Sequence, residues 1–220
     1  MKKLYLDFET YYDTNLSLSK ITTVEYVHHP QFKVWGVGVK LEDGDTQWVP
    51  GDECEDFFTQ IDWSSVALVC HNTLFDAYIL TQYYGHQPAF YYDTAAMARG
   101  IHPNESARLM HVAERLFPND TSMRKGDELV QAKGIVDLPP DVEESIAGYC
   151  IQDVDLTYAI FNKQIVDYPQ EELDLIDLTV RMFVEPKLVL DTEMLKDHRE
   201  KIIDQTQTLI KNSGLTREVL

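Results

Sequence analysis

Two acids near the start of the chain have a spacing that could support shared chemistry. Asp7 and Glu9 are two positions apart in Leu4–Thr10, where apolar and polar residues alternate as in a β-strand. Residues two apart on a strand point to the same face of its sheet, so these carboxylates could bind one ligand. An isolated pair of this kind is more often a solvated strand face, so the pair decides nothing by itself.

A third acid, Asp76, follows the continuous apolar run Val66–Cys70, which predicts a strand buried on both faces. Helical spacing after this run places Asp76 in the first turn of a helix. Thr73 and Asp76 could form a helix cap, because a carboxylate favours the positive end of a helix. A carboxylate at the carboxyl end of a buried strand also stands where α/β sheets bind ligands, so the sequence leaves both roles open.

Tyr149 and Asp153 form a second pair, four positions apart in the predicted helix 139–161. This spacing puts the phenol and the carboxylate on one helix face, one turn apart, where both could act on one atom. Each residue also has a plainer interpretation, since Tyr149 could pack in a core and Asp153 could be a solvated acid.

The four acids together indicate a metal site. Two carboxylates 4 Å apart repel by about 4 kcal/mol at an effective dielectric constant near 20. Several such pairs would rival the stability of a whole domain, which is about 5–15 kcal/mol. A convergent, ionised cluster therefore needs divalent cations, and oxygen ligands favour Mg²⁺ or Mn²⁺ over zinc. The predicted metal ligands are Asp7, Glu9, Asp76 and Asp153.

Apolar periodicity predicts the elements that must position these side chains. Strands are predicted over 4–10, 32–41, 46–49, 66–70 and 90–92. Helices are predicted over 52–61, 71–85, 106–116, 139–161, 170–183 and 192–211. An antiparallel opening followed by strand–helix alternation is typical of an α/β domain with a mixed central sheet and helices against it. We place a domain at 1–168 and a helical extension at 169–220.

Charge limits how the protein could bind nucleic acid. The net charge is −18, from 19 basic and 37 acidic residues. This balance excludes binding over a broad basic face, because such binding neutralises many phosphates. It does not exclude a small pocket where bound divalent cations meet a phosphate.

Other composition features concern the compartment. Three widely separated cysteines, at positions 54, 70 and 150, suggest neither a disulfide framework nor a paired-thiolate zinc site, so we expect a reducing compartment. No apolar run approaches the roughly 20 residues of a membrane span, and acids in the first ten residues are unlike a secretory signal. We expect a cytoplasmic protein, in the host cytoplasm if it is viral, with no membrane partner.

Three sequence motifs carry a family resemblance. They are Asp7-Phe8-Glu9-Thr10, Asn72-Thr-Leu-Phe-Asp76 and Tyr149-Cys-Ile-Gln-Asp153. In this order they resemble the DEDD exonuclease superfamily in its tyrosine-bearing branch, most closely the 3′→5′ proofreading domain of family A DNA polymerases, including phage enzymes. The histidine-bearing branch would place His five positions before Asp153, where this chain has Gly148.

The resemblance covers residues 1–163 and implies a ribonuclease H-like fold, with a mixed five-stranded sheet flanked by helices. Residues 182–195 resemble the passage by which such exonucleases continue into a polymerase domain. Because 220 residues leave no room for a polymerase, the chain is expected to be a fragment, a split subunit or a free-standing nuclease, with a polymerase domain or subunit as partner.

The resemblance also implies a reaction. Two divalent cations, Mg²⁺ or Mn²⁺, would support hydrolysis of the 3′-terminal phosphodiester of single-stranded DNA, releasing nucleoside monophosphates. Asp7, Glu9 and Asp153 would hold the first cation. Asp7 would bridge to the second, which Asp76 would bind through water. Tyr149 would orient the attacking water by a hydrogen bond.

Substrate contacts are predicted at five further residues. By the resemblance, Phe8 and Thr10 would touch the terminal nucleotide and Asn72 would support the substrate beside Asp76. Core packing is an equally good interpretation of Phe8. The segment 99–133 has six basic and five acidic residues, a net +1, so we predict that Arg124 and Lys125 lie by the substrate strand.

Two other functions remain open from the sequence. A 3′ exoribonuclease resembling ribonuclease D uses the same tyrosine-type motifs, and the sequence does not show how a 2′-hydroxyl would be treated. A catalytically silent domain that positions a polymerase or partner is the other alternative, and the intact set of motif residues argues against it.

Overall fold

A mixed five-stranded sheet lies at the centre of the fold. The computed structural model describes residues 1–119 and 132–213 of the chain. Its strands are β1 (Lys2–Thr10), β2 (Val34–Leu41), β3 (Gln47–Pro50), β4 (Val66–Cys70) and β5 (Phe90–Asp93). The strand order is β3-β2-β1-β4-β5, with β1, β2 and β3 antiparallel and with β4 parallel to both β1 and β5. The predicted α/β class, with a mixed five-stranded sheet and flanking helices, is confirmed.

The described residues also form α-helices. They are α1 (Thr23–Val27), α2 (Cys54–Thr59), α3 (Leu74–Tyr78), α4 (Thr94–Ile101), α5 (Leu109–Leu116), α6 (Pro140–Gln164), α7 (Gln170–Val184) and α8 (Thr192–Ser213). A π-helical turn over Ile79–Tyr83 continues α3, and short 3₁₀ turns lie at Trp63–Ser65 and Ile165–Asp167. Of these helices, α1 and α4 were not among the predicted elements.

The alternation in β1 divides its side chains between two sides of the sheet. Leu4, Leu6 and Phe8 are buried in the largest apolar cluster, together with residues of α2, α3 and the π-helical turn. Tyr5 points to the other side, where its ring lies 5.8 Å from the ring of Phe161 in α6. Asp7 shares the face of Tyr5, because side chains alternate along a strand, so α6 lies over the acidic face of β1.

Helix α7 packs on the edge strand β5 and belongs to the same compact unit. Arg181 of α7 forms ion pairs with Asp177 and Glu185, both at 2.8 Å, and its guanidinium lies 4.9 Å from the centre of the Tyr91 ring. Asp177 also accepts a hydrogen bond from the Tyr91 backbone N–H at 2.8 Å. This compact unit is Met1–Glu185.

The second compact unit is Pro186–Leu220, in which α8 is the described helix. Across the described residues of both units, no helix is long and apolar enough to cross a membrane.

Candidate active site

The site forms where β4 ends and leaves part of β1 without a neighbour. β4 pairs with β1 from Lys2 to Tyr5, and the chain then turns away into α3. The backbone N–H of Phe8 consequently has no strand partner on that side. Asp76, in the first turn of α3, accepts this N–H through Oδ1 at 2.9 Å. The first and second sequence motifs are joined by this bond.

The helix-cap interpretation is confirmed in position, because Thr73 is the N-cap residue of α3 and Asp76 lies in its first turn, but not in the bonding of the Thr73 side chain. Thr73 makes no capping hydrogen bond to α3. Its hydroxyl instead donates to the carbonyl oxygens of Tyr92 at 2.6 Å and Cys70 at 3.2 Å, which ties the start of α3 to β4 and β5. The Asp76 carboxylate is therefore directed to β1.

Burial of Asp76 affects its protonation. The residue is 3% exposed, and burial raises the pKa of its carboxyl to about 7, while the hydrogen bond from Phe8 opposes this rise. The charge of Asp93 raises this pKa further. In the absence of a cation, Asp76 is thus held near the balance between its neutral and ionised forms at neutral pH.

Helix α6 brings the third motif to the acidic face of β1. The thiol of Cys150 donates to the carbonyl oxygen of Asp7 at 3.2 Å and lies 3.7 Å from Asp7 Oδ2. One ligand atom from each of Asp7, Glu9 and Cys150 lies within 4.8 Å of the other two. Asp76 and Asp153 are not members of this group, although Asp153 follows Cys150 by three residues on the same helix.

Two glycines of β2 lie directly opposite the two acids of β1. Gly38 pairs with Asp7, and Gly36 pairs with Glu9. A Cβ atom on Gly38 would lie 2.8 and 2.9 Å from two side chains of α6, and one on Gly36 would lie 2.2 Å from the ring of Trp48. Contacts this short do not occur, so the absence of side chains at these positions lets α6 and Trp48 cover the sheet beside the acids.

The charge of Asp7 affects the pKa of two buried thiols. Burial raises the pKa of the Cys150 thiol well above its usual range, and the charges of Asp7 and Asp153 contribute. Burial likewise raises the pKa of the Cys70 thiol, to which the charges of Asp76 and Asp7 contribute. The charge of Asp7 therefore acts on both thiols.

Polar contacts on two strands fix α6 in place. Lys40 of β2 forms an ion pair with Asp155 at 3.2 Å, and Trp48 Nε1 of β3 donates to Glu143 at 3.4 Å. Within α6, Tyr149 and Asp153 are both buried, at 8% and 7% exposed. Their spacing of four residues keeps them on one helix face, as the sequence indicates.

Two of the predicted substrate residues have their side chains engaged within the protein. Phe8 is buried, and its ring stacks on Tyr84 with centroids 5.9 Å apart. The hydroxyl of Tyr26 donates to a backbone carbonyl, and it also forms a 2.9 Å hydrogen bond with Thr10 Oγ1. Any substrate contact from Phe8 or Thr10 would therefore come from the backbone, and the N–H of Phe8 is already held by Asp76.

Asn72 adopts a backbone conformation that few residues with a side chain adopt, with φ at +68°. Its N–H donates to Asp93 Oδ1 at 3.0 Å, and Asp93 also caps α4. Asn72 lines a cavity of about 350 Å³ together with Arg99 and Tyr168. Arg124 and Lys125, the two predicted basic contacts, lie outside the described residues.

Cys150, Gly38 and Asp93 are site residues that the sequence reasoning missed. A signal existed for Cys150, because a residue three positions before Asp153 on a helix shares its face. The three cysteines are widely separated, and a single thiol beside carboxylates does not fit a zinc pattern. Gly38 and Asp93 gain their significance from strand register, which the sequence does not give.

The donor set fits a hard divalent cation. Asp7 and Glu9 are two carboxylates with ligand atoms within 4.8 Å of each other, in a largely buried setting where their repulsion is poorly screened. Carboxylate oxygens are the ligands that Mg²⁺ and Mn²⁺ prefer. Cys150 would be a soft ligand, and burial raises the pKa of its thiol well above the usual range.

Comparison with solved structures finds nucleases. RNase D from Trypanosoma brucei matches with a TM-score of 0.63 and 16% identity, over 86% of this chain and 67% of that chain. NrnC from Brucella melitensis matches with a TM-score of 0.55 and 14% identity, over 83% of each chain. The chain has the fold of these two proteins. No protein-family model matches the sequence, and no curated protein matches it.

The shared fold agrees with the ribonuclease H-like architecture that the sequence motifs imply. At 14–16% identity the match is evidence for fold. The predicted closeness to polymerase proofreading domains, and the predicted passage into a polymerase over 182–195, stay predictions.

Proposed function

We propose that this chain is a divalent-metal-dependent 3′→5′ exonuclease of the DEDD superfamily, in its tyrosine branch. The observation that carries the proposal is the meeting of all three sequence motifs at β1. Asp76 bonds the Phe8 N–H from one side, while Cys150 of α6 lies within 4.8 Å of Asp7 and Glu9. The fold shared with RNase D and NrnC supports the same conclusion.

The acids would divide between two cation positions. Asp7, Glu9 and Asp153 would hold one divalent cation, and Asp7 together with Asp76 would hold the other. The contact of Asp7 with Cys150 of α6, and the bond from the adjacent Phe8 N–H to Asp76, support its bridging role. Bound Mg²⁺ or Mn²⁺ would lower the pKa of a water molecule and stabilise negative charge on the leaving oxygen. A structure of NrnC with bound Mg²⁺ supports this choice of ion.

The remaining motif residues would act on the water and the substrate. Tyr149, on the face of α6 that carries Asp153, would orient the attacking water by a hydrogen bond, which a phenol can make without ionising. Asn72 would support the terminal nucleotide, and Arg99, which lines the same cavity, offers a cation for a substrate phosphate.

Two substrate classes, DNA and RNA, are candidates. The sequence resemblance favours the 3′ end of single-stranded DNA, with proofreading beside a polymerase domain or subunit. Structures of T. brucei RNase D with RNA U12 and with GMP favour RNA as the second candidate. NrnC has been solved with pGG, which supports a short oligonucleotide in this fold.

The test uses 5′-labelled single-stranded DNA and RNA of one sequence, with Mg²⁺, with Mn²⁺ or with chelator. We expect a ladder that shortens one nucleotide at a time from the 3′ end in either metal, and none in chelator. Faster loss of DNA would support the proofreading candidate, and faster loss of RNA the second candidate. Intact oligonucleotides in both metals, or digestion that persists in chelator, would refute the proposal.

A further inference from the structure

The peptide group between Asp7 and Phe8 is held at both polar ends by side chains of other elements. Its N–H donates to Asp76 Oδ1 at 2.9 Å. Its carbonyl oxygen accepts from the thiol of Cys150 at 3.2 Å, and the same sulfur lies 3.7 Å from Asp7 Oδ2. Cys150 thus contacts both the backbone and the carboxylate of Asp7.

Gly38 leaves the space that the contact between the Cys150 thiol and Asp7 needs. It lies opposite Asp7 on β2, and a Cβ at this position would lie 2.8 Å from Cys150 Sγ and 2.9 Å from Val154 Cγ2. The sulfur therefore reaches Asp7 across a strand position that has no side chain. Any larger residue would displace α6 from β1 or turn the thiol away.

We propose that Cys150 is a positioning residue that holds the Asp7 carboxylate in the orientation needed to bind a divalent cation, with Gly38 supplying the space. This inference rests on the proposed function, because it gives Asp7 a metal to bind. A thiol is a weak hydrogen-bond donor, so its contribution to folding is small. Groups that orient a metal ligand nevertheless alter metal affinity by about 10- to 100-fold.

The experiment measures Mn²⁺ binding to the full chain by electron paramagnetic resonance of the free ion, after chelator treatment. C150A, which lacks the donor, is expected to bind Mn²⁺ about tenfold more weakly. C150S, whose hydroxyl can replace the thiol, is expected to stay within about threefold of the wild type. C54A is the matched control, because Cys54 is equally buried but its thiol donates to backbone carbonyls of Val49 and Pro50.

A rate measurement separates positioning from general damage. At saturating Mn²⁺, C150A should recover most of the wild-type single-turnover rate, because the loss lies in cation binding. Wild-type Mn²⁺ affinity in C150A, or equal loss in C150S and C150A, would overturn the inference. If circular dichroism shows that C150A does not fold, G38A replaces it, with the same expected loss of affinity and wild-type affinity again overturning the inference.

Failure of the proposed exonuclease function can be distinguished from failure of the inference about Cys150. A wild-type chain that binds Mn²⁺ but releases no nucleotide contradicts the exonuclease assignment, while the comparison of C150A with C150S still decides the role of the thiol. A wild-type chain that binds no Mn²⁺ overturns both.

Discussion

The carboxylate of Asp76 accepts the backbone N–H of Phe8 at 2.9 Å, so an acid from the helix after β4 occupies the place that a longer β4 would have taken beside β1. This bond fixes Asp76 next to the position of Asp7 without any help from a metal. The site is thus partly pre-formed by the ends of the strands, where open α/β sheets usually bind ligands.

Removing either acid of β1 should abolish metal-dependent digestion. D7N and E9Q each lose a cation ligand, and we expect single-turnover rates at least about 1,000-fold lower. The free energy of unfolding in chelator should not fall in either variant, because each change removes one charge from the repelling pair Asp7 and Glu9. The matched control is E144Q, an exposed acid of α6. Rates near the wild type in D7N or E9Q would contradict the site.

Replacing Tyr149 with Phe should slow the reaction less than loss of an acid. Y149F keeps the buried ring and removes the hydroxyl, and we expect a decrease of about 10- to 100-fold in the single-turnover rate at saturating metal. Y158F, on the same helix, is the control, because Tyr158 packs edge-on against Tyr5 with ring centroids 5.0 Å apart. An unchanged rate in Y149F would remove this residue from the site.

The buried carboxyl of Asp76 predicts a pH dependence of stability in chelator. Burial raises its pKa from 3.8 to about 7, so the folded state binds the proton more tightly than the unfolded state. The free energy of unfolding should therefore fall as pH rises from about 4 to about 7, and this contribution should be level above that range. Asp76 has this effect only while no cation compensates its charge.

The variant D76N isolates this contribution, because an amide does not titrate and its oxygen can still accept the Phe8 N–H. In urea unfolding with chelator, the free energy of unfolding of D76N relative to wild type should increase by on the order of 2–4 kcal/mol as pH rises from 5 to 8. D56N, which changes an exposed acid in the first turn of α2, should show no such gain. A constant difference between D76N and wild type across this range would contradict the burial argument.

The link between α7 and β5 predicts a stability effect away from the site. Arg181 pairs with Asp177 and Glu185, whose side chains are 15% and 7% exposed, and it donates to the carbonyl oxygen of Ala89 at 2.7 Å. R181A leaves these acids without their cation and should lower the free energy of unfolding by about 2–3 kcal/mol.

For R181A, urea unfolding gives the stability and single-turnover digestion at low temperature gives the rate, which should be unchanged. R199A, an exposed position of α8, is the control. Equal stability of R181A and wild type would show that α7 does not depend on this cluster.

The sequence is sufficient to predict the main strands and the shared face of Asp7 and Glu9, because period-2 alternation in β1 is a local signal. It is not sufficient for the contact between Cys150 and Asp7. That contact depends on how α6 crosses β2, and on a register that places Gly38 beside Asp7. Packing between elements distant in sequence decides such contacts.

Both helices missing from the prediction have a cap signal in the sequence. The capping box of α1, formed by Thr22 and Glu25, is visible in the sequence, but the helix has only five residues and so shows no apolar period. Helix α4 begins directly after β5, with Asp93 as its cap. Asp93 directly follows the predicted strand and is a preferred N-cap residue, so the sequence does contain a start signal for α4.

The boundary near Tyr168 and Pro169, with a helical extension after it, stays a prediction. Helix α7 lies within the compact unit Met1–Glu185, where Leu173 and Val180 are buried and Arg181 donates to the carbonyl oxygen of Ala89, directly before β5.

The proposed reaction requires a divalent cation at the acids of β1, and a Mn²⁺-soaked crystal with anomalous diffraction tests for this cation directly. We predict an anomalous peak within bonding distance of carboxylate oxygens of Asp7 and Glu9 in the wild type, and loss of that peak in D7N. Mn²⁺ peaks elsewhere on the protein, with none between these two carboxylates, would contradict the metal-dependent exonuclease.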